Sequence, residues 1–279
     1  MKFIYLSDSH LGADGTGFHQ QPMYATHLTE IVTGLKTWLE ENPDVEFILH
    51  GGDLCEWGTE ELIRQAEEMF QFSVPMYLCL GNHDLTEVES LSYWLKHAGR
   101  MFPEGKPEFT IRKNGGVLHV APNHWEERKY FWDGTERQLP WIADEQWSEF
   151  ESAKEGEVEV FVTHSPVLGV PPSQTGMDEM YHEPIPAFRE QIANWGKIRQ
   201  QLKYVLGGHN HLNMREELDG ITYITAPAFS EAPFEFKIFQ IDDGKLQMET
   251  VSLRDYMDFP WQYDATKSYV QGEGKVREF

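Results

Sequence analysis

Cysteine is nearly missing from this chain of 279 residues, with only Cys55 and Cys79 present. Two thiols cannot form a disulfide framework, which argues against a cross-linked secreted scaffold and favours a reducing compartment. Basic residues are scarce as well: 23 lysines and arginines face 46 aspartates and glutamates, for a formal charge of −23. A surface of that sign repels polyanions at long range, so long DNA or RNA is not an expected partner, and most of the acidity reads as a solvated surface. No apolar run reaches the length of a membrane span, and no leader pattern precedes residues 2–7, which read directly as a core strand. These absences point to a cytoplasmic protein with no membrane partner.

What is present suffices for a large core, since 40% of the residues are hydrophobic. Short β-rich runs alternate with helical patterns, as expected of strands packed between helices. Strands are predicted at 2–7, 45–50, 75–80, 157–163 and 204–206, and helices at 23–40, 60–72, 88–97, 140–153 and 186–201. In the first helix Leu28, Ile31, Val32, Leu35, Trp38 and Leu39 recur at three- and four-residue spacing, marking one core face. After His211 the pattern becomes purely strand-like (213–218, 221–225, 234–241, 245–251), with turns at Asp219-Gly220 and Asp243-Gly244, and predicts a closing β meander. The expected organisation is one α/β domain over 1–251 followed by a C-terminal extension, 252–279, packed on or near it.

Five of these strands stop at polar clusters: Asp8-Ser9-His10, Gly52-Asp53, Gly81-Asn82-His83-Asp84, Thr163-His164 and Gly208-His209-Asn210-His211. In an α/β sheet the carboxyl ends of strands open onto a common crevice, so these clusters are expected to converge. Aspartate, asparagine and histidine together suit Mn, Fe or Zn. One such cluster alone would be an ordinary turn; five bearing histidine or aspartate, in series, are a metal-site signal.

This ordered set resembles the calcineurin-like metallophosphoesterase family, with a motif layout similar to its class III cyclic-nucleotide phosphodiesterases. The resemblance implies a layered α/β/β/α sandwich with a dinuclear metal site at the strand carboxyl ends. It implies that Asp8, His10 and His211 hold one divalent ion, that Asn82, His164 and His209 hold the other, and that Asp53 bridges them. A hydroxide between the ions would attack the phosphorus of a small phosphate ester, a phosphodiester in the leading reading and one with a nucleotide in it as a candidate. His83 is expected to face the substrate and protonate the leaving group, with Asp84 accepting a hydrogen bond from its imidazole. Phosphomonoesterase and nucleotide-sugar pyrophosphatase activities use the same two metals, and a non-catalytic protein-binding scaffold is the rival of another class.

Seven of the twelve histidines lie outside these clusters. His27, His50, His97 and His119 read as surface, helix-end or core residues, whereas His19, His124 and His182 lie in loops that are candidates to line the cleft. Specificity is expected in the loops 12–21, 121–137 and 166–184, where Trp125, Tyr130, Trp132 and Tyr181 are candidates, with Trp57 and Phe229, to stack on a base. A homodimer is the base-rate expectation for the oligomeric state.

Overall fold

The computed structural model describes residues 1–15, 19–134, 139–199, 202–267 and 269–270. Two sheets lie face to face. The first has the order β13-β12-β1-β2-β3, with β1 Lys2–Leu6, β2 Phe47–His50, β3 Met76–Leu78, β12 Glu235–Asp242 and β13 Lys245–Ser252. The second has the order β10-β11-β9-β8-β5-β4, with β4 Phe109–Lys113, β5 Gly116–Val120, β8 Val158–Val162, β9 Leu202–Gly207, β10 Met214–Leu218 and β11 Ile221–Thr225. A small ribbon, β6 His124–Trp125 with β7 Pro140–Trp141, stands apart from both. The helices are α1 Leu28–Glu41, α2 Glu60–Met69, α3 Ser90–His97, α4 Asp144–Glu149, α5 Pro172–Thr175 and α6 Pro186–Ile198.

Strand β8 explains the layering. Its five residues are all buried, because its side chains alternate between two apolar layers. Val158, Val160 and Val162 enter the core between the sheets with Phe3, Tyr5 and Phe239. Phe161 faces outward and packs with Phe188, Ile192 and Trp195 of α6. On the opposite side, Ile31, Val32, Leu35, Trp38 and Leu39 of α1 cover the first sheet, with Trp38 edge-on to Phe236 at 5.1 Å. The result is the expected α/β/β/α sandwich.

Local readings are corrected in four places. The strands after His211 do not form one meander: β10 and β11 join the second sheet, β11 running parallel to β9, while β12 and β13 join the first, β12 antiparallel to β1. The hairpin β4–β5 turns through Asn114-Gly115, both at positive φ (46° and 79°), an Asn-Gly signal that the strand reading passed over. The helix expected at 140–153 starts with the extended pair Pro140–Trp141, which is held on β6, and turns helical only at Asp144. The helix expected from residue 23 begins at Leu28 after a short 3-10 turn, because Met23 bridges to Glu231 beside the site.

The C-terminal segment returns to the domain. Met257 and Tyr256 lie so close to Gly34 of α1 that a Cβ there would meet Met257 Cε at 2.6 Å. Further on, Val270 is buried and its carbonyl accepts the Asn213 N–H at 2.9 Å. Among the described residues no helix is long and apolar enough to cross a membrane.

Candidate metal centre

All five clusters meet at the carboxyl ends of β1, β2, β3, β8 and β9. Asp8, His10, Asp53, His209 and His211 all have positive φ, between 49° and 67°. That conformation is unfavourable for residues bearing a Cβ and persists only where the surroundings hold it. Here the first two loops are laced together: Asp8 N–H donates to Gly52 O (2.9 Å), His10 N–H to Asp53 O (3.0 Å) and Leu11 N–H to Leu54 O (2.9 Å). Gly52 takes φ +113°, and a Cβ at Gly81 would collide with Asp53 Oδ1, so both loops need glycine to approach this closely.

One donor group comprises Asp8, His10 and His211, whose ligand atoms lie within 4.8 Å of one another. His10 Nδ1 donates to Glu56 Oε2 (2.8 Å) and His211 Nδ1 donates to Glu231 Oε1 (2.6 Å). With both Nδ1 protons committed, the two Nε2 atoms present lone pairs to each other at 3.1 Å. Such a pair repels unless a cation or a shared proton lies between. Metal–imidazole bonds of about 2.0–2.1 Å at a tetrahedral or right-angled centre put two nitrogens roughly 3 Å apart, so this spacing fits a metal ion.

The second group comprises Asp53, His164 and His209, again within 4.8 Å. His164 Nδ1 donates to Gly51 O at 2.9 Å, while its buried Nε2 lies 3.0 Å from Asp53 Oδ2 without hydrogen-bond geometry. Asn82 Oδ1 joins them, 3.0 Å from His209 Nδ1. The carboxylate of Asp53 belongs also to a third set with His10 and His83, so it lies between the groups, where a bridging ligand would have to be. The seven expected ligands are therefore brought together.

The titrating groups of the two sets are tuned by burial and by one another. Burial alone would lower His164, but Asp53 overrides it and raises the imidazole to about 9. Burial also opposes charge on His211, and Glu231 and Asp8 raise it. His209 is pushed down by burial and by its histidine neighbours, and Asp53, although buried, is held well below the usual carboxylate range by His164, His83 and His10. The carboxylates thus call for positive charge at the place where the imidazole lone pairs converge.

His83 lines the same cleft. Its Nδ1 donates to the carbonyl of Glu56 at 3.0 Å and its N–H donates to Asp53 Oδ1 at 2.9 Å. Asp84 does not reach it, which corrects the expected pairing. The carboxylate of Asp84 is buried and accepts two backbone N–H groups, from Cys55 (3.0 Å) and Gly81 (2.9 Å), so it ties the loops after β2 and β3 together. Burial and Asp53 together raise it to about 6. The carboxylate near His83 is that of Glu56, 3.6 Å from Nδ1.

Glu56 and Glu231 are the residues that sequence reasoning missed. Glu231 is completely buried and accepts His211 Nδ1–H and the N–H groups of Gln20 and Gln21. Nothing in its sequence neighbourhood marks it. The other histidines fall out largely as read: His50 is buried against Ser9 Oγ (2.8 Å), His119 is buried against Glu159 (3.0 Å), and His97 pairs with Glu60. Of the loop histidines, His182 lines the cleft, whereas His124 is buried under Tyr130 and Trp141. The cleft encloses about 490 Å³ over the metal groups, with Asp14, Met23, Trp132 and Tyr181 on its walls.

A two-sheet sandwich carrying two Asp/His donor groups at its strand ends is the architecture of a metal-dependent phosphoester hydrolase. The calcineurin-like phosphoesterase family matches residues 1–213, and the chain belongs to that family. Members of the family bind a dinuclear metal site, and the Asp and His groups here supply donors for one. A probable cyclic nucleotide phosphodiesterase of Rhodopseudomonas palustris is 33% identical over 88 residues, which are 31% of this chain and 31% of that protein. The chain thus matches less than a third of that relative's length. Among solved structures the fold is similar to a dimetal phosphatase of Danio rerio (TM-score 0.65, 13% identity, 91% of this chain and 96% of that one). It is also similar to GAP50, the anchor in the inner membrane complex of Plasmodium (TM-score 0.64, 11% identity, 92% and 86%). A third is the purple acid phosphatase PPD1 of yellow lupin (TM-score 0.60, 16% identity, 93% and 52%).

Proposed function

We propose that this chain is a dinuclear metal phosphodiesterase acting on a small ester. One observation carries the reading: the Nε2 atoms of His10 and His211 face each other at 3.1 Å while carboxylates hold both Nδ1 protons, a preformed cation site. Asp8, His10 and His211 would hold one ion and Asn82, His164 and His209 the other, with Asp53 between them. When bound, the ions supply Lewis acidity that polarises the phosphoryl oxygens and brings the pKa of water toward neutrality. The imidazole and carboxylate donors suit Mn, Fe or Zn.

The chain's own groups do the rest. Asp53 is fixed from both sides, Oδ1 accepting the His83 N–H and Oδ2 lying against His164 Nε2. His83 has its Nδ1 proton committed to the Glu56 carbonyl, so a proton for the departing alkoxide comes from Nε2 of the imidazolium. Support for a diester comes from the cleft of about 490 Å³, which has room for substituents on either side of the phosphorus, and from the partial similarity to a probable cyclic nucleotide phosphodiesterase. The two free, buried cysteines support a reducing, cytoplasmic setting.

The test is turnover of bis-para-nitrophenyl phosphate and para-nitrophenyl phosphate by the same preparation, before and after chelation and readdition of Mn. The expected result is metal-dependent hydrolysis with the diester favoured. Preference for the monoester would move the protein to the phosphomonoesterases. GAP50 shares the fold and is described as an anchor, so the scaffold reading stands as the second one; it predicts no metal-dependent turnover of either ester.

A further inference from the structure

Beside the metal cleft lies a second cavity, of about 280 Å³, that the reaction as described leaves without a role. One loop builds it, and Trp132 belongs to both cavities. Two tryptophans of that loop reach the catalytic groups: the Trp132 ring lies 4.9 Å from the His83 ring and the Trp125 ring 5.2 Å from the His209 ring. The cavity thus adjoins the centre on its wall and has room for one alcohol half of an ester.

We infer that this cavity holds one alcohol half of the ester, and that this half carries an alkylammonium group of the choline type. The inference rests on the phosphodiesterase reading and names its substrate class. Trp125, Phe131 and Trp132 supply aromatic faces, whose quadrupoles attract cations. Glu126, Glu127 and Asp133 stand against a single guanidinium in the lining, Arg128, so the lining is net negative. Arg128 itself rests 4.8 Å over the Phe131 ring and Trp125 is buried against His209, which leaves Trp132 as the aromatic face for a ligand.

Glu126 adds an independent observation. Its Oε1 is buried and has no hydrogen-bond partner among the described residues, a costly state for a carboxylate oxygen unless a donor or cation arrives. The residue cannot easily relax: its backbone holds φ 52°, its N–H donates to Leu139 O (3.2 Å), and its carbonyl accepts Trp141 Nε1–H (2.6 Å). A neutral nucleobase would gain stacking but nothing from the sign of the charge. A second phosphate group would be repelled. An ammonium gains from the rings and the carboxylates together.

The experiment compares two diesters with the same leaving group on the Mn-loaded full chain. One is para-nitrophenyl phosphorylcholine; the other is its uncharged isostere, with a tert-butyl group in place of the trimethylammonium. The inference predicts a kcat/KM ratio of roughly ten in favour of the charged ester, the fold-change of a desolvated cation–π contact. It also predicts that Glu126→Gln, and separately Trp132→Leu, brings the ratio toward one. The ratio is taken within each protein, so a general loss of activity does not mimic the effect, and Glu127→Gln on the exposed side of the lining serves if either variant fails to fold. Metal-dependent turnover of both esters with a ratio near one, or faster turnover of the isostere or of cyclic AMP, overturns the inference and leaves the phosphodiesterase reading intact. Absence of metal-dependent turnover on bis-para-nitrophenyl phosphate overturns that reading, and the substrate class falls with it.

Discussion

Glu56 and Glu231 each hold one imidazole of the facing pair by its Nδ1 proton, which fixes the tautomer and aims Nε2 at the place an ion would take. Glu231→Gln leaves an acceptor in place but removes the charge, and is expected to weaken metal binding about 10–100-fold. Metal titration of the variant against wild type reads this directly; unchanged affinity would make Glu231 a purely structural residue. His83→Ala is expected to retain both metals and lose about 10²–10⁴-fold in kcat, since leaving-group protonation contributes on that order. Elemental analysis and kinetics on one sample check both halves of that statement. The seven candidate ligands were legible as a converging set because each lies where an apolar strand ends and a polar cluster begins. Asp84 was misread because adjacency to His83 looks like partnership. In the 3-10 turn His83–Leu85 successive side chains diverge, and the Asp84 carboxylate turns back to the N–H groups of Cys55 and Gly81. Glu231 was illegible for a different reason: it meets His211 only through tertiary folding, from the segment between β11 and β12.

At the scale of elements, the strands of the first sheet and the later strands of the second were recovered, β4 to β7 were passed over, and the partners of the strands after His211 were not legible. Each hairpin after His211 has a clear turn, yet β11 and β12 are both buried nearly throughout, so nothing in their hydrophobicity tells one sheet from the other. The aromatic loop between β5 and α4 behaves as an element of its own, pinned by the ribbon β6–β7. Its His124 is buried, and burial, with some help from Lys129, lowers it from 6.5 to about 4. An unfolded chain takes up that proton near pH 6.5, whereas the folded one resists until about pH 4. The stability contributed by the neutral imidazole is therefore complete above pH 6.5 and is lost as the pH falls toward 4, a span worth ~3 kcal/mol. His124→Asn keeps an acceptor for the Tyr130 N–H but does not titrate. The stability difference between wild type and variant, measured by urea unfolding, is expected to shift in the variant's favour across that interval; a constant difference would contradict the burial argument.

At one end of the whole molecule the candidate metal centre draws on both sheets. Asp8, Asp53 and Asn82 follow strands of the first sheet, while His164, His209 and His211 follow strands of the second. Each ion would draw ligands from both sheets, so metal binding doubles as a clasp across the sandwich. Chelation is expected to lower Tm by roughly 5–10 °C, the shift from a few kcal/mol of ligand linkage in a domain of this size. Differential scanning calorimetry with and without chelator measures it, and an unchanged Tm would mean that the two halves of the site are not joined by a bound ion. Bound ions would also account for how a chain with a formal charge of −23 places two carboxylates, Asp8 and Asp53, in its interior: they would neutralise them locally while the remaining acidity stays in solvent.

The central claim is that two ions occupy this centre and that turnover depends on both. Elemental analysis of one preparation, before chelation, after it and after readdition of Mn, with bis-para-nitrophenyl phosphate hydrolysis followed at each stage, tests it most directly. The account predicts about two equivalents of metal per chain and activity that disappears and returns with them. One equivalent or none at full activity, or hydrolysis that survives chelation, would contradict it.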